Sequence, residues 1–168
     1  FRGYAQTSIN TTDMRRSGGF DVDGKLVIAA GQIFPFTQTA ATISASQSIT
    51  ILANGEAPAL PFSAGGTLTL SAPIIDQRGT LRAPFGQIVL NATDALTLGE
   101  GSITSVSGAG LTMLYGTIAD LTLWYGNDLN APLTAPPEKR ITLKAPNIDA
   151  RSGAVIDLSG GGDLLAYQ

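Results

Sequence analysis

The chain has no cysteine and no histidine. That excludes thiol and imidazole chemistry, and with it the usual zinc sites. Absent cysteine also suits export through an oxidising periplasm. Charge is scarce: Asp, Glu, Lys and Arg make up 14% of the residues, against roughly 25% in ordinary soluble domains. The net charge is −3 and the basic residues are scattered. No basic stripe is present to neutralise phosphates, so nucleic acid is not an expected partner. No apolar run approaches the length of a transmembrane helix. There is no initiator Met before Phe1 and no basic start leading into an apolar core, which reads as an internal or processed piece.

What remains is an apolar fraction of 43%, enough for a core, diluted with Gly, Ser, Thr, Ala and Asn. That mixture suits short strands joined by tight turns. No segment carries helical periodicity with caps. Instead a triplet of β-favouring residues recurs, commonly apolar-Thr-apolar and often followed by Ala. It stands at Leu26-Val27-Ile28, Ile49-Thr50-Ile51, Leu68-Thr69-Leu70, Ile88-Val89-Leu90, Leu111-Thr112-Met113 and Ile141-Thr142-Leu143, and ends as Leu164-Leu165-Ala166. The triplet starts lie 23, 19, 20, 23, 30 and 23 residues apart, a spacing suited to one turn of a β-solenoid. Within a strand the outer two side chains share a face and the middle one takes the other. Leu68, Leu70, Ile88, Leu90, Ile141 and Leu143 are thus expected inward, with Thr69, Val89 and Thr142 outward.

Two stretches agree at greater length. Leu68 to Arg78 reads LTLSAPIIDQR, and Ile141 to Arg151 reads ITLKAPNIDAR, at an offset of 73 residues. Each is followed by Gly and a second short strand, Thr80-Leu81-Arg82 and Ala154-Val155-Ile156. The expected fold is all-β, a right-handed parallel β-helix with about 19–23 residues per coil. Seven stacked triplets would span on the order of 30 Å. A β-sandwich or barrel is the alternative, since it also uses short strands and frequent turns, but it does not require one motif in a near-constant register. Residues 1–23 lack the triplet and read as an irregular coil or link. Residues 24–168 read as β-helix coils, with a surface excursion at 114–139.

That excursion holds Tyr115, Tyr125 and the only Trp, Trp124. Aromatic side chains on a loop can stack on a sugar ring or a partner surface, so these three are the candidate ligand-binding residues. The plainer alternative is a local hairpin around Leu121-Thr122-Leu123 whose aromatics cover exposed core. Asp76 with Arg78, and Asp149 with Arg151, place opposite charges on one strand face. Such pairs could serve a polysaccharide-active β-helix enzyme, the weaker alternative, but recurrence in two coils marks them as structural ion pairs, because an active site is usually built once. No catalytic residue, metal ligand or cofactor is expected. Gly160-Gly161-Gly162-Asp163 has some features of a calcium-binding β-roll repeat, but occurs once and in the wrong order.

The chain resembles the filamentous-haemagglutinin-like exoproteins of the two-partner secretion type. The resemblance rests on Leu68–Pro73, Ile141–Pro146, Leu90–Leu98, Ala135–Lys139 and the run from Ile156 to Leu164 (IDLSGGGDL). It covers about Gly24 to Gln168. It implies a long fibrous β-helix at the bacterial cell surface, serving adhesion, aggregation or biofilm. It also implies an outer-membrane transporter as partner of the parent protein. The Asn-Pro-Asn motifs of the family's secretion domain are absent, so this segment is not expected to be the part the transporter recognises. The other expected partners are neighbouring coils of the same polypeptide and, through the excursion, surface glycans. A cut solenoid also exposes strand edges, so self-association through the end near Leu164 is expected.

Overall fold

A computed structural model of the chain describes residues 2–6 (backbone only), 16–55, 58–119, 122–126 and 131–167. Every regular element among them is a β-strand. In chain order these are β1 Arg2–Gln6, β2 Arg16–Val22, β3 Lys25–Ala30, β4 Thr39–Ala45, β5 Ser48–Ala53, β6 Thr67–Arg78, β7 Thr80–Arg82 and β8 Gln87–Leu98. There follow β9 Ile103–Ser105, β10 Thr112–Ala119, β11 Leu123–Tyr125, β12 Arg140–Lys144, β13 Asn147–Ala150, β14 Val155–Asp157 and β15 Asp163–Tyr167.

The strands fall into four columns through which the chain passes repeatedly. The first runs β2, β4, the front half of β6, the front half of β8, then β12, parallel throughout. The second runs β3, β5, the rear half of β6, the rear half of β8, then β13, again parallel. Because β6 and β8 turn the corner without a break, these columns form one curled nine-stranded sheet. Among the described strands its only antiparallel member is β1, which lies along the outer edge of β2. The third column stacks β7, β9 and β14, and the fourth pairs β10 with β15.

Period-two alternation explains which residues fill the interior. Leu68 pairs with Ile88, and Ile88 with Ile141; Leu70, Leu90 and Leu143 follow the same line. Ile49, Ile75, Leu96 and Ile148 make the matching line in the second column. Leu68, Leu70, Ile88 and Leu90 are fully buried, and Ile141 and Leu143 are half-buried against the same core. Thr69, Val89 and Thr142 take the outer face and are half-buried among their neighbours. Burying one such Leu or Ile is worth about 1.5–3 kcal/mol.

The seven triplets do not make one stack. Leu26 and Ile49 lie in the second column, Leu68, Ile88 and Ile141 in the first, and Leu111 with Leu164 at the fourth. Ile49 pairs with Ile75, not Leu68, while Leu68 pairs on its other side with Ala41. The first column is therefore five strands deep, roughly 20 Å at about 4.8 Å per step, shorter than the triplet count implied. The reason is chemical. Each pass carries several strands, and those with Ala, Asp or Gln at a key position, such as Ala41-Thr42-Ile43 and Ile75-Asp76-Gln77, escape an apolar pattern.

One boundary also shifts. Arg16–Val22, expected to be irregular, is a complete strand held by seven consecutive partners in β4. Residues 7–15 of that same stretch lie outside the described residues. The first residues of the excursion are tied to the last pass, because Leu114 and Thr117 pair with Leu165 and Tyr167 of β15.

Candidate ligand site

The excursion folds back as a hairpin. Thr117, Ile118 and Ala119 of β10 pair antiparallel with Tyr125, Trp124 and Leu123 of β11. This is the local hairpin expected around residues 121–123, though Leu121 itself lies outside the described residues. Gly116 permits it: its φ is +80°, and a β-carbon there would sit 2.1 Å from the Tyr125 carbonyl oxygen. Trp124 is fixed at both ends. Its indole Nε1 donates to the Tyr115 carbonyl at 2.5 Å, and its own carbonyl accepts from the Leu133 amide at 2.6 Å.

The three candidate aromatics go to different places. Tyr115 is 7% exposed and packs with Ala64, Phe85 and Leu111 in a second small core. Its ring rests on Gly65, and burial pushes its hydroxyl pKa above the usual tyrosine value. Tyr125 is half-buried, pairs with Thr117 and bridges to Pro132. Trp124 is half-buried and lines a surface cleft of about 320 Å³.

Three separate parts of the chain build that cleft. Phe85 comes from the link between β7 and β8, Trp124, Leu133 and Pro136 from the excursion, and Gly162 and Asp163 from the last pass. Gly162 has φ +85°, and a β-carbon there would lie 2.0 Å from the Gly108 carbonyl oxygen and 2.6 Å from Phe85 Cζ. The Gly160-Gly161-Gly162 run thus lets the last pass close over the Phe85 ring. Asp163 is exposed and is the one charged side chain among the described lining residues. Phe85, Pro136 and Asp163 carried no joint signal in the sequence, because 77 positions separate Phe85 from Gly162 and no motif spans them.

Three carboxylates away from the cleft are held by neighbouring side chains. Arg78 bonds Asp76 and Arg151 bonds Asp149, at 2.6 and 2.8 Å, both pairs on the outer surface. Asp157 accepts from Ser105 Oγ, Ser159 Oγ and the Ser159 amide at 2.6–2.9 Å. Those donors, the Ser159 hydroxyl foremost, hold its pKa below the usual carboxylate value. Among the described residues no three carboxylates gather in a way that could hold a metal ion. No family model matches the chain, and neither a curated protein nor a solved structure matches it.

Proposed function

We propose that the chain is a structural segment of right-handed parallel β-helix from a large secreted bacterial surface protein of the filamentous-haemagglutinin-like, two-partner secretion type. Its work is to extend and stiffen a fibre used in adhesion, aggregation or biofilm. One observation carries the reading: the matching segments Leu68–Arg78 and Ile141–Arg151 dock on opposite sides of β8 in the same register. A repeat that stacks by translation in this way extends a rod without limit, each pass serving as template for the next. An active site requires no such repetition, and the recurring Asp-x-Arg pairs bind each other. The segment is no enzyme in this reading, and the parent's transporter acts on a different region.

The test is an in-frame deletion of residues 16–167 in the bacterium that makes the parent, scored by attachment and autoaggregation. The proposal expects both to fall while the remainder is still secreted. Unchanged attachment and aggregation, or turnover of a polyuronate by the purified chain, would overturn it.

A further inference from the structure

We infer that the cleft between the β10–β11 hairpin and the last pass binds a pyranose ring without a carboxylate, stacked against Trp124 and held at its hydroxyl edge by Asp163. The inference is independent of the fibre reading, since it needs only the cleft. Three features specify the occupant. The indole Nε1 is already spent on the Tyr115 carbonyl, so Trp124 offers ring surface and not a donor. Leu133 and Pro136 continue that apolar surface, which suits the C–H face of a sugar and a ligand with one flat side. Asp163 supplies the sole charge among the described lining residues. An ionised carboxylate accepts from hydroxyl or ammonium groups and repels another carboxylate. A neutral or amino sugar therefore complements the cleft, and a uronate does not. The volume, about 320 Å³, lies at the small end of ligand sites and admits about one ring. Gly162 adds to this, because any side chain there would displace Phe85 or the Gly108 backbone.

The chain's single Trp makes the test direct, because tryptophan emission reports this cleft alone. The full chain is titrated with methyl glucoside, N-acetylglucosamine, glucosamine, glucuronate and, as an apolar probe, hexanol. The expected result is a saturable change in emission with the first three, at dissociation constants on the order of a millimolar. Glucuronate should bind at least several-fold more weakly. Asp163→Asn, an exposed position whose strand signal is checked by circular dichroism, should erase that discrimination. Saturation by hexanol alone would overturn the inference in favour of an apolar docking groove. No saturable change with any sugar, equal binding of glucuronate, or discrimination that survives in Asp163→Asn would each overturn it as well.

Discussion

Leu68–Arg78 and Ile141–Arg151 are nearly the same peptide on opposite sides of one strand, yet they live in different surroundings. In the first, Leu68, Leu70 and Ile75 are at most 1% exposed. In the second, Ile141 and Leu143 are half-buried, and Ile148, the counterpart of Ile75, is 48% exposed. Both use the same backbone register against β8. The difference lies in coverage: β4 and β5 lie beyond β6, whereas no described strand lies beyond β12 and β13. Local sequence sets which face a side chain takes, and the number of flanking passes sets what that face is worth.

The largest effects should come from breaking this contrast in the core. Leu70→Ala should cost about 2–5 kcal/mol, the usual range for a buried Leu truncation. Leu143→Ala, its counterpart, should cost about half as much, because much of that side chain already meets solvent. Thr69→Ala, on the outer face next to Leu70, should stay within about 0.5 kcal/mol. Equal losses at positions 70 and 143 in thermal unfolding would mean that coverage does not govern the contribution.

A sharper probe is Gln77, whose counterpart at the same offset is Ala150. Gln77 is fully buried, and its amide donates to the carbonyls of Gly79 and Ile103 and accepts from the Gly79 amide. Gln77→Leu strands those groups and should cost about 1–3 kcal/mol. Ala150→Gln, at an exposed site, should change stability little. Chemical denaturation of the two variants checks the pair.

Asp157 ties the last pass to β9 through Ser105. Its pKa is lowered in the folded chain, so its stabilisation is fully present above the unfolded value of about 4. It is lost as pH falls through the folded value. Asp157→Asn should therefore destabilise at neutral pH and flatten the loss of stability below pH of about 4. Small effects are also expected at the surface pairs: Arg78→Ala and Arg151→Ala should each change stability little and respond to salt.

Much of this was legible in the sequence, for reasons that residues make plain. Alternation at Leu68-Thr69-Leu70 and Ile88-Val89-Leu90 gave the inward and outward faces, since strand geometry leaves no third choice. The match at an offset of 73 residues gave β7 and β14 together with both ion pairs. The column assignment was hidden, because Ile75-Asp76-Gln77 buries a polar amide where the pattern asks for an aliphatic. Arg16–Val22 was hidden too, since Gly18 and Gly19 weaken its pattern and pairing with β4 supplies what propensity lacks. For the cleft, sequence offered Trp124 but placed it with Tyr115, which tertiary packing draws into the second core. Asp163 and Phe85 meet only through the stacking of passes, and no local motif encodes that.

The central claim is that passes far apart in sequence stack in parallel and in one register, and the absence of native cysteine makes it directly testable. Thr69, Val89 and Thr142 lie side by side on the outer face of the first column. Neighbours one strand apart have Cα separations within disulfide reach, whereas two steps, about 9.6 Å, exceed the roughly 7 Å limit. Three double variants are oxidised and their disulfides mapped by mass spectrometry: Thr69→Cys with Val89→Cys, Val89→Cys with Thr142→Cys, and Thr69→Cys with Thr142→Cys. The account predicts efficient intramolecular bonds in the first two and none in the third. A bond in the third, or none between positions 89 and 142 across the 53-residue interval, would contradict the stacked arrangement.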